Sequence, residues 1–291
     1  KMSNIEIIDN RYGAILLVLA ALVFTVDVTV LRYLSPEVPF SLIIFFRSIL
    51  QLFIVTIWIF LLPKVNFKST RWKLLISRGV TSLICWWLYY LSFKKLDLAL
   101  ASTLTFTTSL FAVAMAPFIL NEKIGYKRSF LSIFGFIGVL IASGLNSFSI
   151  DSGVLMGLGS AFAAAVLIFQ NRILAKTEHT ATIMFWIGLV ATIGSIPNTI
   201  IEWTFISIND LLLLILAASL GTFGMLLTVE AYRFGEVSAL APFPYIRILF
   251  ALCAGYFLFY ETVTVYEFVG VLVICICGLI ANEKKKSFYL Q

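Results

Sequence analysis

Charged side chains are scarce in this sequence. They make up 12% of the 291 residues, hydrophobic residues make up 61%, and the mean hydropathy is +1.02. Soluble domains carry about 25% charged and about 45–50% apolar residues. A chain with so little polar material cannot cover a water-soluble globule, so its excess apolar surface must face lipid. The composition therefore predicts an integral membrane protein in contact with the lipid bilayer.

Histidine is nearly absent, and no acidic cluster compensates for it. The single histidine, His179, follows an apolar run in a short polar segment, and the four cysteines all lie in apolar runs. A zinc site needs several His, Cys, Asp or Glu ligands, and a serine such as Ser160 needs a base to become a nucleophile. No phosphate-binding glycine loop is present either. These absences predict no metal, no cofactor and no catalytic residue.

Ten apolar segments are long enough to cross a bilayer, which takes about 20 residues. The connections between them are short, so the sequence predicts an all-α protein without a separate soluble domain. The segments are Tyr12–Leu34, Pro39–Leu62, Leu74–Phe93, Leu98–Asn121, Ser129–Ile150, Ser152–Asn171, Thr180–Ile201, Leu211–Val229, Val237–Tyr260 and Val263–Asn282.

The basic residues indicate the orientation. Placing the N-terminus in the cytoplasm puts 15 of the 21 lysines and arginines on the cytoplasmic side, 3 on the opposite side and 3 within spans. Cytoplasmic loops of membrane proteins are enriched in basic residues. We therefore predict a multi-pass protein of the bacterial inner membrane with both termini cytoplasmic. The same rule explains the net charge of +6 without a nucleic-acid partner.

The two halves of the chain are related at a nearly constant offset. A shift of 139 residues lays Asp97 on Glu236 and Glu122 on Glu261, and a shift of 140 lays Gly13 on Gly153. Each half holds five predicted helices, an odd number, so the second half must enter the membrane from the opposite side. Inverted repeats with a site at their interface are typical of transporters. We predict repeats over residues 1–145 and 152–283, followed by a cytoplasmic tail at 284–291.

Several stretches resemble the EamA half-domain of the drug/metabolite transporter superfamily in two copies. They are Tyr89–Ala101 running to Asn121-Glu122-Lys123, and Glu230–Glu236 continuing through Ala241–Arg247 to Gly255–Glu261. The chain departs from the family where it carries Asp97, a position at which members usually have proline. The resemblance implies a ten-helix carrier with a central cavity and alternating access. The pattern from Pro242 to Glu261 is most similar to a bacterial subgroup that includes carriers of S-adenosylmethionine and of riboflavin.

Ionisable residues within the first predicted spans are the first candidates for a site. A charged group at the centre of a span costs about 2.5–3.5 kcal/mol, so it usually faces an interior cavity. Asp27 is interpreted either as a substrate or coupling group, or as an interior partner for Arg47 or Arg78. Arg47 and Gln51 lie one turn apart on one helical face. Arg78 lies near the cytoplasmic end of its span, where its side chain is expected to reach the interface.

A second candidate region follows two prolines. Pro242 and Pro244 should interrupt the backbone hydrogen bonds of their helix, and broken helices expose polar groups in carriers. Arg247 and Tyr245 follow the break and are predicted to bind substrate. The alternative is a kink that serves packing only.

Further binding candidates are threonines and aromatic residues. The first-half segment equivalent to the proline break contains Thr103, Thr105 and Thr108. Thr103 and the neighbouring Thr107 are predicted to bind substrate. Trp86 and Tyr90 could stack on a planar substrate, although aromatic residues of membrane proteins more often form interfacial belts. Glu230 is a second coupling candidate beside Asp27, with an ion pair to Arg233 as the alternative.

The pattern as a whole predicts a secondary transporter, acting as a monomer or weak dimer. It would move a small amphoteric metabolite, similar to S-adenosylmethionine, to riboflavin or to an amino acid, through a cavity holding Arg47, Arg247 and Asp27. Two alternatives stay open. An integral membrane enzyme would turn over labelled lipid, and a channel would give flux without saturation or counterflow.

Overall fold

The computed structural model describes residues 9–61, 65, 67–93, 95, 104–121, 125–142, 152–260 and 265–281, and within these ranges the regular secondary structure is all helical. Apolar runs form helices in lipid because a helix satisfies its own backbone hydrogen bonds. The helices are α1 (Asn10–Leu31), α2 (Phe40–Leu61), α3 (Trp72–Phe93), α4 (Thr107–Leu120), α5 (Tyr126–Ala142), α6 (Ser152–Leu174), α7 (Thr180–Ile201), α8 (Ile208–Phe234), α9 (Val237–Leu240), α10 (Arg247–Phe259) and α11 (Val265–Ala281), with a 3₁₀ turn at Phe243–Ile246.

Seven described segments have the length and hydropathy of a membrane span. Six are α1, α2, α3, α6, α7 and α8, and the seventh runs from Val237 to Phe259 through the 3₁₀ turn. The helices α4, α5 and α11 are apolar but shorter, with 14, 17 and 17 residues. The predicted segments that contain α4 and α5 extend into residues 98–103 and 143–150, which lie outside the described ranges. The multi-pass, all-helical class is confirmed, and the count of ten spans stays a prediction.

The packing of the helices is symmetric when the two halves are exchanged. The contact of α1 with α8 corresponds to that of α6 with α3, and the contact of α2 with α8 corresponds to that of α7 with α3. The pairs α2–α7 and α5–α11 each contain equivalent helices from the two halves. Local geometry repeats as well. Asn121 and Tyr260, 139 residues apart, end equivalent helices with the same left-handed backbone, φ 53° and ψ 29°.

The two equivalent helices α2 and α7 run in opposite directions. Near the start of α2, the carbonyl of Ser41 accepts a hydrogen bond from Thr199 near the end of α7, at 3.3 Å. In the middle of α2, Gln51 donates through Nε2 to the carbonyl of Met184 near the start of α7, at 2.9 Å. Equivalent elements with opposite directions are the local signature of an inverted repeat.

The outer surface of the bundle is apolar. Large hydrophobic side chains on several helices are well exposed, among them Phe60 at 76%, Phe118 at 86% and Phe257 at 71%. Polar and charged side chains such as Asp27, Arg78 and Asn171 are instead buried. This inside-out distribution is what a bilayer imposes, because polar groups inside a membrane protein turn toward the bundle interior.

Candidate functional site

An ion pair between α1 and α2 lies at the centre of the bundle. Arg47 Nη2 donates to Asp27 Oδ2 at 2.8 Å, with Asp27 1% exposed and Arg47 23% exposed. The second carboxylate oxygen, Oδ1, is buried and has no hydrogen-bond partner among the described residues. Asp27 therefore pairs with Arg47 rather than with Arg78, and it keeps one acceptor oxygen unused.

A glycine of α8 makes room for this pair. A Cβ atom placed on Gly221 would collide with the guanidinium of Arg47. One turn further along α8, a Cβ on Gly224 would come within 2.9 Å of the Phe24 ring. Phe24 precedes Asp27 on α1, so two glycines on one face of α8 allow close approach to the charged centre. The centre thus involves α1 and α2 from the first half and α8 from the second half.

Arg247 joins the charged centre from α10. The prediction that Pro242 and Pro244 break their helix is confirmed, because α9 ends at Leu240, a 3₁₀ turn follows, and α10 starts at Arg247. The Cζ atom of Arg247 lies 5.9 Å from the centroid of the Phe24 ring, and its charge acts on Asp27. Within the described part of the chain, the Arg247 guanidinium has no hydrogen-bond or ion-pair partner.

The position of Arg247 makes the centre electropositive. Helix N-termini carry a partial positive charge, so a cation in the first turn is unfavourable and an anion there is favourable. Two arginines and one carboxylate give the centre a net positive charge, with Arg247 in the first turn of α10. The arrangement thus presents the guanidinium of Arg247 and the unused carboxylate oxygen of Asp27 without a described hydrogen-bond partner for either group.

Aromatic side chains lie beside the centre on α2 and α3. The Tyr90 ring stacks on Phe40 with centroids 4.6 Å apart, and the charges of Arg47 and Asp27 both act on the Tyr90 phenol. A small pocket opens next to this stack, lined by Pro39, Phe40, Trp87, Tyr90, Leu91 and Glu202. Tyr90 thus links the pocket to the charged centre, whereas Trp86 is a half-buried residue of α3 outside the pocket lining.

Other candidates from the sequence take part in structural contacts. Gln51 holds α2 against α7 through its bond to the Met184 carbonyl. Thr107 is buried and donates to the carbonyl of Leu104 at 2.6 Å, while Thr103 lies outside the described residues. Tyr245 is fully buried against α4 and α5, where its hydroxyl donates to the Ser132 carbonyl at 3.2 Å and its ring covers Gly135. None of these described contacts brings Tyr245 to Asp27 or Arg47.

Glu230 lies in a network that joins several elements at one end of the bundle, here named the Arg233 end. The Glu230 carboxylate accepts from Arg233 Nε at 3.1 Å and also from the Thr180 hydroxyl. Arg233 Nη2 donates to the carbonyl of Glu178 at 3.0 Å, and Arg172 Nη1 donates to the carbonyl of Tyr232 at 3.1 Å. These bonds connect the ends of α6 and α8 with the start of α7. Glu230 forms the ion pair with Arg233 that the spacing of the two residues in the sequence suggested.

Arg78 is a buried arginine whose location the sequence interpretation did not predict. The expectation that it reaches the membrane interface is wrong, because its side chain is buried at 1% exposure between α3, α6 and α8. Its Nε donates to Asn171 Oδ1 at 2.8 Å, and its Nη1 donates to the Ser82 hydroxyl. Among the described residues no carboxylate neutralises it. The available signal was the polar pair Gln170-Asn171 near the end of an apolar segment.

His179 at the Arg233 end provides a pH-dependent contact. Its Nδ1 accepts from the Ala181 backbone N–H at 3.2 Å and caps α7. Burial, and then the nearby charge of Arg233, lower the pKa of His179 below its ordinary 6.5. Since the unfolded chain then binds the proton first, stability should fall as the pH drops through 6.5 and level off below the folded pKa.

The variant that tests the role of His179 is His179→Asn, because asparagine keeps a capping acceptor but does not titrate. We expect the melting temperature of the wild-type protein in detergent to decrease between pH 7.5 and pH 5.5, as the pKa of His179 and its ordinary value of 6.5 require. The variant should lose part of that decrease. An identical pH profile for both proteins would contradict this assignment.

A multi-pass helical bundle that encloses a charged centre between two inverted halves defines a membrane transporter. The sequence model of the EamA-like transporter family matches residues 11–144 and again residues 151–282. The chain therefore belongs to the EamA-like transporter family, within the drug/metabolite transporter superfamily, and is not an enzyme.

Two proteins with similar sequences are named as transporters. The chain is 26% identical over 262 residues to an S-adenosylmethionine uptake transporter of Rickettsia bellii, covering 87% of this chain and 88% of that protein. It is 28% identical over 289 residues to the pseudopaline exporter CntI of Pseudomonas aeruginosa, covering 94% and 98%. A solved crystal structure matches with a TM-score of 0.76 at 16% identity, covering 94% of this chain and 99% of that one, which supports the fold.

Proposed function

We propose that this transporter is a secondary carrier for a small amphoteric metabolite with a carboxylate and a cationic group. The observation that carries the proposal is the composition of the charged centre. The Arg247 guanidinium has no partner among the described residues, and Asp27 Oδ1 is buried without one. A buried acceptor without a donor, such as Asp27 Oδ1, is costly, whereas Arg247 is half-buried. A substrate that supplies a cationic group to Asp27 and a carboxylate to Arg247 would therefore gain from both contacts.

The two free groups favour one of the three expected substrate types. A carboxylate of the substrate would bind Arg247 in the two-pronged geometry that guanidinium groups prefer. An ammonium or sulfonium group would bind Asp27 Oδ1, and a planar ring would lie near Tyr90 and Phe40. S-adenosylmethionine has all three groups and is our first candidate. An amino acid has the two charged groups, and riboflavin has only the planar one.

The topology that we propose follows from the repeat and the basic residues. Five-helix repeats over residues 1–145 and 152–283 would give ten spans, with residues 284–291 as a cytoplasmic tail. The Arg233 end would face the cytoplasm of a bacterium, in line with the 15 to 3 split of lysines and arginines. Transport would follow alternating access by a monomer or weak dimer, with Asp27 as the coupling candidate. Glu230 is the weaker coupling candidate because Arg233 and Thr180 already hold its carboxylate.

The direct test is counterflow in liposomes. Purified protein is reconstituted in vesicles loaded with unlabelled S-adenosylmethionine, and uptake of the radiolabelled compound is measured against its concentration, with an amino-acid mixture and riboflavin as further substrates. We expect saturable uptake that is stimulated by the internal compound. Flux without saturation or stimulation would indicate a channel, and turnover of a labelled lipid would indicate an enzyme. Either result would refute the carrier proposal.

A further inference from the structure

Two guanidinium groups lie one after the other along the inner face of α8. Arg47 lies against Gly221, and the Arg78 Nη2 atom lies 3.9 Å from the sulfur of Met225. Gly221 and Met225 are one turn apart on the same face, about 6 Å along the helix axis. Arg78 is therefore the next cation after the Asp27–Arg47 pair in the direction of the Arg233 end.

The surroundings of Arg78 leave its charge without a counter-ion. Its described partners are neutral, namely the Asn171 amide, the Ser82 hydroxyl and the Met225 sulfur. Gln170, which precedes Asn171 on α6, also lacks a hydrogen bond, because its Oε1 atom is buried without a described donor. A buried charge without an opposite charge is unfavourable. A neutral side chain at this position would avoid the cost of burying a charge, so stability alone does not account for an arginine here.

Apolar side chains separate Arg78 from the Arg233 end. Leu75, Leu174, Ile183, Ile187 and Val229 form one buried cluster, with Met225 and Trp186 packed against it. Leu75 is one turn before Arg78 on α3, and Val229 is one turn after Met225 on α8. The Arg233 network follows beyond them. When a carrier opens at this end, α3, α6, α7 and α8 separate along this cluster. Arg78 is then the first charged group on the way from the Asp27–Arg47 pair toward the Arg233 end.

We propose that Arg78 is a second anion-binding residue of this carrier, which receives the carboxylate of the substrate when the Arg233 end opens. This proposal rests on the proposed function. The substrate would leave Arg247 and pass along the inner face of α8 from Gly221 to Met225. Arg78 would then exchange its neutral partners Asn171 and Ser82 for the carboxylate, a stronger charge-assisted contact.

A thiol placed beside Arg78 tests the site without knowledge of the substrate. Met225→Cys is made in a protein in which Cys85, Cys253, Cys275 and Cys277 are alanine, and vesicles are treated from each face with anionic or cationic methanethiosulfonate reagents. We expect reaction from the face at the Arg233 end, with the anionic reagent faster by about threefold or more, as a nearby unit charge would produce. Arg78→Met should abolish that preference, and Arg78→Lys should keep it.

Thr177→Cys is the matched control, because Thr177 is exposed between α6 and α7 at the Arg233 end, where water reaches it. Its reagent preference should not depend on residue 78. The proposal is overturned if the preference at Met225→Cys is the same with arginine and methionine at position 78. If the Met225→Cys protein does not fold, transport by the single variant Arg78→Met tests whether Arg78 binds the substrate anion.

Arg78→Met should bind radiolabelled S-adenosylmethionine with wild-type affinity but reduce its counterflow by about tenfold, equivalent to one strong contact. Wild-type counterflow in this variant would overturn the proposal. If wild-type protein moves no labelled compound while the reagent preference still depends on Arg78, the substrate assignment fails and the anion site stands.

Discussion

Asp27→Asn is expected to lower counterflow about a hundredfold or more and to destabilise the protein by about 3 kcal/mol, because removing one partner of a buried ion pair leaves the other charge uncompensated. Arg47 would then lie against Gly221 with at most a neutral amide oxygen at its 2.8 Å contact and without an opposite charge. The measurements are counterflow in liposomes and melting temperature in detergent. Asp210→Asn is the matched control. Its two oxygens accept from the Ser35 backbone N–H and from the hydroxyls of Ser35 and Ser207. An amide keeps one of these acceptors, and its NH2 group can donate to a hydroxyl, so transport should change less than threefold.

A double variant separates the structural role of the pair from substrate binding. Replacing both partners, as Asp27→Leu with Arg47→Met, removes the buried charges together and should restore most of the lost stability. Transport should stay at the level of Asp27→Asn, since the oxygen that we assign to the cationic group of the substrate is gone. Normal transport by a stable double variant would show that the pair serves packing only.

Arg247→Ala is expected to raise the KM for a carboxylate-bearing substrate about a hundredfold while leaving the melting temperature nearly unchanged. The loss corresponds to about 3 kcal/mol for a charge-assisted hydrogen bond. The fold should tolerate the change because the described contact of the guanidinium is only the 5.9 Å approach to Phe24. Removing a cation from the N-terminus of α10 is also slightly favourable. Arg247→Lys should recover part of the affinity, since it keeps the charge without the two-pronged geometry.

Two comparisons make the Arg247 result specific. Arg32→Ala removes another arginine over an aromatic ring, with its Cζ 4.3 Å from the Phe259 ring centroid. It should leave the KM within about twofold of wild type because charges at the surface contribute little. The decarboxylated analogue of S-adenosylmethionine lacks the group assigned to Arg247. Wild-type protein should favour the complete compound, and Arg247→Ala should transport the two with similar KM. A variant that weakens both compounds equally would refute direct contact between Arg247 and the carboxylate.

Much of the architecture was predictable from local features of the sequence. The apolar segments, the proline break at Pro242 and Pro244, and the offset of about 139 residues each depend on neighbouring residues or on a comparison of the two halves. The burial of Asp27 was predictable because a carboxylate inside a span must turn away from lipid. Its pairing with Arg47 was one of two alternatives, and only the packing of α1 and α2 against α8 distinguished them.

The errors concern the direction in which side chains of a span point. Arg78 and Tyr245 lie on helices that are apolar on most sides, so no polar face marks the side toward the bundle interior. Tyr245 was expected beside the substrate, yet the 3₁₀ turn directs it into a niche above Gly135. Arg78 was expected at the interface, yet Asn171 and Ser82 hold it inside. Both outcomes depend on partners far away in the chain.

The amino-acid sequence by itself determined that this protein is a helical membrane protein made of two related halves, because hydropathy, proline positions and repeats are local or translational properties of the chain. The tertiary structure decided which charges meet. Only the antiparallel packing of the halves brings Asp27, Arg47 and Arg247 together across α1, α2 and α10, and leaves Arg78 without a described counter-ion. Electrostatic energy depends on the distance between charges in space, and that distance is set only when the chain folds.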